Sequence, residues 1–239
     1  MSYIYLIRHA QAGTRENYDL LSDLGQRQAR LLGESFAEQG IEFDTLYSGS
    51  MRRQQLTAQI ACEAMKDRGI KPPEPVVDER WNEFSLISVY RAIMHRLVED
   101  SEEFARDYRE MTEALRRDPH TTGGATGRCD IAVIRAWMED RYPDYDGEKW
   151  SVFKSRIQEC ASCLPQYDAR EKAIAIFTSA TPIAITAGTS LGLSDDALLS
   201  ILGVIQNTSV TVMRVRDDAL RLFTFNATQH LNPRMRTFR

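Results

Sequence analysis

An arginine and a histidine, Arg8-His9, follow the short apolar run YIYLI at residues 3–7. An imidazole attacks phosphorus directly, and an adjacent guanidinium offers planar donors to phosphoryl oxygens, so the pair has the parts for phosphoryl transfer. Its position matters as much as its chemistry, because open α/β sheets hold ligands outside the carboxyl ends of their strands. Taken alone, the pair also fits an ordinary surface turn. Of the other three histidines, His95 falls on a helical pattern and His120 at the edge of a Thr and Gly run, where either is in reach of a substrate or simply exposed. Cys160 and Cys163 form a C-x-x-C late in a predicted helix with no second cysteine pair, which favours helix packing over zinc or redox chemistry. The glycines at 123–127 lack the Gly-Lys-Ser/Thr of a phosphate-binding loop, and no G-x-G-x-x-G occurs. The closing RMRTFR reads as a solvated basic tail.

Residues 3–7 are apolar without alternation, the pattern of a strand buried on both faces, so this strand ends at Arg8 and His9. Ser22 or Asp23 is positioned to cap a helix carrying Leu24, Leu31, Leu32 and Phe36 and stopping near Gly40. Residues 44–48 form a second short strand, and Ser50 opens a helix with Leu56, Ile60 and Ala64 on one face and Gly69 as its stop. Strand, helix, strand, helix predicts an α/β fold with a parallel sheet. From about residue 86 to 164 the pattern turns helical: Val89, Ile93 and Leu97 share a face, as do Phe104, Tyr108, Met111 and Leu115, then Ile131, Ile134 and Trp137 or Met138. The Thr and Gly cluster at 121–127 interrupts this insertion as a loop. Residues 172–177 return to a strand, a helix follows Pro182, and two runs separated by Asp217 and Asp218 predict a closing hairpin.

The composition suits a folded soluble chain of 239 residues, 43% hydrophobic and 27% charged. Thirty Lys and Arg against 34 Asp and Glu leave a net charge of -4, which gives no reason to expect nucleic acid or an anionic membrane as a partner. Four cysteines make no disulfide framework, and an arginine stands where a leader peptide needs its apolar core, so the cytoplasm is the expected compartment. The uncharged stretch at 173–194 is long enough to span a bilayer but carries many hydroxyl and glycine residues; it reads as a buried strand and helix.

Taken in order, LIRHAQAG, LSDLGQRQA, LYSGSMRRQQLTA, ERWNEF, FTSATPIAI, NTSVTVMRV and NATQHL resemble the histidine phosphatase superfamily, the phosphoglycerate mutase-like proteins. The resemblance covers nearly the whole chain and is weakest in the helical insertion. It implies a single three-layer α/β sandwich over residues 1–239, mainly parallel, with the insertion at about 86–164 over the active site. It makes His9 the nucleophile that becomes phosphohistidine and Arg8 its phosphate-binding neighbour. Arg53 becomes the second clamp, because the family's arginine lies six residues after the Tyr and four before the Thr-Ala, which Tyr47 and Thr57-Ala58 satisfy for Arg53 and not Arg52. Glu83 resembles the family's general acid, and a carboxyl beside a phosphate dianion holds its proton more tightly, as a donor to a leaving alcohol should. The family's late His-Gly step is here Ser179-Ala180, its register set by Thr181-Pro182-Ile183. Serine donates a hydrogen bond but no charge, and loss of a preorganised donor of this type costs about 10²- to 10³-fold in rate. His230, in the His-Leu step, is implied to be structural. The resemblance requires no metal and no cofactor, and gives the chain a phosphorylated small molecule or a phosphate anion as its partner. Two functions stay open: a phosphatase slowed by Ser179, or a pseudophosphatase that binds a phosphorylated ligand or protein.

Overall fold

A computed structural model describes residues 2–14, 17–119, 121, 123–164 and 172–238, which form two compact units, 1–83 with 156–239, and 84–155. His120 lies outside the described residues.

The larger unit is built on one six-stranded sheet in the order β3-β2-β4-β1-β5-β6, where β1 is Tyr3–Arg8, β2 Thr45–Ser48, β3 Val76–Val77, β4 Ala173–Thr178, β5 Val210–Arg216 and β6 Ala219–Ala227. The first four strands run parallel, and β5 and β6 are antiparallel, so the sheet is mixed. β1 lies at the centre between β4 and β5, which explains its unbroken apolar run: Ile4, Leu6 and Ile7 have no exposed surface. Alternation along the strand sends Ile7 toward a core shared with α1 (Asp23–Glu38) and α2 (Arg52–Asp67), through Leu32, Phe36, Ala58, Ala61 and Met65. α7 (Ala180–Leu191) packs against β1, β5 and β6. Gly33 lets α1 and α2 approach closely, since a Cβ there would lie 2.1 Å from the Ala61 carbonyl oxygen. Ser22 caps α1 by accepting from Gly25 N at 3.0 Å, and α8 (Asp195–Leu202) is capped the same way by Ser194. The hairpin turns on Asp217 and Asp218, both with positive φ, as a two-residue connection requires.

The second unit holds α3 (Leu86–Asp100), α4 (Glu102–Arg117), α5 (Gly124–Met138) and the start of α6 (Trp150–Ser162). Val89, Ile93 and Leu97 are buried as expected, and Phe84 stacks on Trp137 at 4.3 Å. Two expectations are corrected. The loop ends sooner than residue 127, because Gly124 already starts α5 and Ala125 and Thr126 are buried. The inner face of α5 is Cys129, Val133 and Trp137, an i+4 row, while Ile131 is exposed. Among the described residues no helix is long and apolar enough to cross a membrane, and 173–191 divides into β4 and α7.

Candidate active site

His9, Ser179, the turn before α2 and Glu83 all follow the carboxyl ends of parallel strands, β1, β4, β2 and β3, and all belong to the larger unit. The backbone of His9 is held from three directions. Its N–H donates to Thr178 O at 2.8 Å, its carbonyl accepts from Asn207 Nδ2 at 3.0 Å, and Thr208 N–H donates back to Arg8 O at 3.1 Å. Thr208 makes this turn in the left-handed region, φ 55°, buried, with its hydroxyl 3.0 Å from His230 Nε2. Burial, then Arg236, pushes His230 down to about 4, so at neutral pH it is an uncharged brace for that turn.

The His9 ring is 2% exposed. Its Nδ1 lies 2.8 Å from Ala10 O, an acceptor only, so Nδ1 carries the proton and Nε2 the lone pair. Arg53 Nε donates to that Nε2 at 3.2 Å. Burial, followed by Arg53 and Arg8, holds the imidazole well below the usual histidine range, which keeps it neutral and nucleophilic.

Arg53 is buried, and Arg52 is exposed. The cap of α2 differs from the expectation: Met51 stands at the N-cap without a side-chain bond, and Ser50 lies one residue too early. Asp19 does this work from 33 residues away, accepting from Arg52 N at 3.2 Å and Arg53 N at 3.5 Å while its carboxylate pairs with Arg53 Nη1 at 2.9 Å. Tyr18 completes this wall. The Arg53 guanidinium carbon lies 4.9 Å from the centre of its ring, which meets the His9 ring edge-on at 6.5 Å, and its hydroxyl lies against the Arg8 guanidinium.

Arg8 is buried, 6% exposed, with Nη1 donating to Ile205 O and Nη2 to Phe238 O at 2.8 Å. The second of these contacts overturns the reading of the last residues as a frayed, solvated end. Gln28 Nε2 donates to Met235 O at 2.7 Å and Thr237 Oγ1 at 2.9 Å, and Asn207 N donates to Thr237 O at 2.9 Å. Backbone carbonyls dock this segment while its basic side chains face water, which a charge pattern alone does not reveal.

Glu83 follows a 3-10 turn at Glu79–Trp81 capped by Asp78 and tied to the α2 turn by Asn82 Oδ1, which accepts from Ser50 N at 2.7 Å. Its Oε2 accepts from Thr181 N at 3.0 Å, at the start of α7, and it is close enough to Arg8 to act on it electrostatically. Ser179 is 1% exposed and accepts from Gln54 Nε2 at 2.9 Å. Gln54 is also fully buried, and Gly49 leaves its amide room: a Cβ at 49 would stand 2.0 Å from Gln54 Oε1. Ala180 is the first residue of α7 and has no positive φ, so a glycine there answers no backbone need.

Thus Arg8, His9, Arg53, Glu83 and Ser179 come together, joined by Tyr18, Asp19, Gln54 and Asn207, which sequence reasoning missed. Two buried guanidiniums beside a neutral imidazole concentrate positive charge of the kind that attracts an anion. No cluster of possible metal ligands occurs among the described residues. The described cysteines are all free, and Cys160 is buried while Cys163 is exposed. His95 lies exposed on α3.

Solved structures share this fold. A mutant phosphoserine phosphatase from Entamoeba histolytica in complex with phosphoserine matches with TM-score 0.62 at 18% identity, covering 97% of this chain and 100% of that one. A phosphoglycerate mutase from Bacillus anthracis str. Sterne matches with TM-score 0.61 at 15% identity, covering 96% and 94%. In sequence, the chain is 33% identical over 76 residues to the serine/threonine-protein phosphatase Pgam5, mitochondrial, of Caenorhabditis elegans, a match spanning 32% of this chain and 27% of that protein. The family model of the histidine phosphatase superfamily (branch 1) matches residues 4–135 and 130–228, and the chain belongs to that superfamily.

Proposed function

We propose that this protein hydrolyses phosphate monoesters through a phosphohistidine on His9. The observation that carries the reading is the state of the His9 ring, with Nδ1 spent on Ala10 O and Nε2 unprotonated beside Arg53 Nε at 3.2 Å. In the first step the Nε2 lone pair forms a bond to phosphorus as the ester oxygen leaves with a proton from Glu83, and the arginines hold the phosphoryl oxygens. In the second step water attacks phosphorus, gives its proton to the Glu83 carboxylate and returns Nε2 to its neutral form, releasing phosphate. Ser179 stands, in this reading, where relatives carry a second histidine. The relatives act on or bind phosphoserine, phosphoglycerate or phosphoprotein by their names, which makes a small or protein-borne phosphomonoester the substrate class.

The test is turnover across a panel of phosphate monoesters, with quenched samples examined for one phosphoryl group per chain that acid removes and alkali leaves. Phosphoenzyme at His9 with turnover supports the proposal. Neither species, with phosphate binding intact, sinks it in favour of a second reading, a pseudophosphatase that binds a phosphorylated ligand. That alternative has its own observation: each terminal nitrogen of Arg8 already gives one N–H to a carbonyl, of Ile205 or of Phe238, which leaves fewer donors for a transferring phosphoryl group.

The two readings also part at Ser179. A histidine at 179 needs the space filled by the Gln54 amide, 2.9 Å away. We expect Ser179→His with Gln54→Ala to raise kcat at least about tenfold, the low end of what one such donor contributes. An unchanged kcat with parental sulfate affinity would show that the missing charge is not what limits the rate.

A further inference from the structure

Tyr18 has no assigned role, yet its one side chain meets the nucleophile and both clamps. Its ring is edge-on to His9 at 6.5 Å and 87°, Arg53 lies over its face at 4.9 Å, and its hydroxyl lies against Arg8. We propose that the Tyr18 hydroxyl is a catalytic donor to a phosphoryl oxygen of the His9 site; this rests on the reading of that site as a phosphatase centre.

Two observations beyond proximity support the assignment. The first is Arg8 Nε, which is buried and has no acceptor among the described residues, although both terminal nitrogens of the same guanidinium are satisfied. A buried charged donor left without an acceptor is costly, and an oxygen of a bound phosphoryl group beside His9 supplies the acceptor this N–H needs. The Tyr18 hydroxyl lies against that same guanidinium, so an oxygen placed there meets the phenol as well. The second is the chemistry of a phenol among cations. A hydroxyl that faces a guanidinium does so through its lone pairs, and a phenol can give its proton to an anion gathered by the two arginines. Tyrosine thereby adds a donor without adding charge.

A tyrosine that merely packs over the site would use its ring and not its hydroxyl, and the variant Tyr18→Phe separates the two roles. It keeps the face under Arg53 and the edge toward His9 and removes one O–H. The probe is orthovanadate, which adopts the five-coordinate geometry of the transferring phosphoryl group, set beside sulfate, which stays tetrahedral. For Tyr18→Phe we expect kcat to fall about 10- to 100-fold with KM little changed, as for the loss of one preorganised donor. Vanadate affinity should fall in parallel and sulfate affinity much less. Thermal unfolding of the variant, expected to match the parent, excludes a loss of fold. Parental vanadate affinity in Tyr18→Phe overturns the proposal whatever happens to turnover. If the parent itself neither turns over nor forms phosphohistidine, the phosphatase reading fails separately, and vanadate affinity still decides whether the hydroxyl touches the anion.

Discussion

A His9→Ala variant is expected to hydrolyse any phosphate monoester about 10⁴-fold more slowly than the parent, since loss of a nucleophile removes the covalent route and leaves only binding and donors. Among the described residues no other histidine is placed to take over. His230 is locked on Thr208, and His95 is an exposed residue of α3. Sulfate affinity measured by calorimetry should survive, because Arg8 and Arg53 remain; a variant that loses both turnover and sulfate binding would show that the ring was structural. The pH dependence of the parent gives an independent check. Burial, Arg53 and Arg8 hold His9 well below the usual histidine range, so Nε2 stays unprotonated as pH falls through 6.5, and kcat/KM should keep its plateau there. An acidic limb at or above pH 6.5 would contradict the proposed role of Nε2.

Arg53→Ala is expected to lower kcat/KM about 10³-fold, roughly 4 kcal/mol of transition-state stabilisation. The size reflects two simultaneous losses, the donors to the phosphoryl group and the N–H that keeps Nε2 in its unprotonated form. The variant should also change the proton balance of His9. Removing one of the two cations that disfavour the imidazolium raises its pKa, so the acidic limb of kcat/KM moves to higher pH than in the parent. Arg52→Ala, one residue away and exposed, should change kcat/KM less than about twofold. Equal losses in the two variants, or a limb that does not move, would refute the assignment of Arg53.

What sequence alone conveyed, and what it hid, follows from how each contact is made. The central strand is legible because burial on both faces leaves an unbroken apolar run, whereas Arg8-His9 at its end also fits a surface turn and gains weight only from the resemblance carried by the later segments. Arg53 and Arg52 look alike by composition; the resemblance to the family, through its spacing to Tyr47 and Thr57-Ala58, selects Arg53, and of the two it is Arg53 that is buried. Tyr18 and Asp19 lay in a polar stretch with no period, so nothing local linked them to α2. Gln54 lies between two other polar residues, which gives no local sign of burial, yet it is fully buried with its amide on Ser179, 125 residues away in the chain. The last residues misled most plainly: their side chains are charged, but they attach through main-chain carbonyls, which every residue possesses and no composition records.

The docking of that last segment has a consequence for how the protein comes into being. Arg8 is closed off by carbonyls 197 and 230 residues away in the chain, and the carbonyl of His9 is held by an amide 198 residues away. A ribosome adding roughly 5 to 20 residues per second takes about 10 to 40 s to travel from His9 to Asn207. For most of that interval β1 lacks both neighbouring strands, since β4 is not made before residue 173 and β5 not before residue 210. Nascent chains therefore carry a solvated histidine and an unclamped arginine with no anion pocket around them. In the proposed reading, chemistry at His9 waits until the residues that hold Arg8 and His9, Ile205, Asn207 and Phe238, have been made, so a chain abandoned before them is expected to be inert.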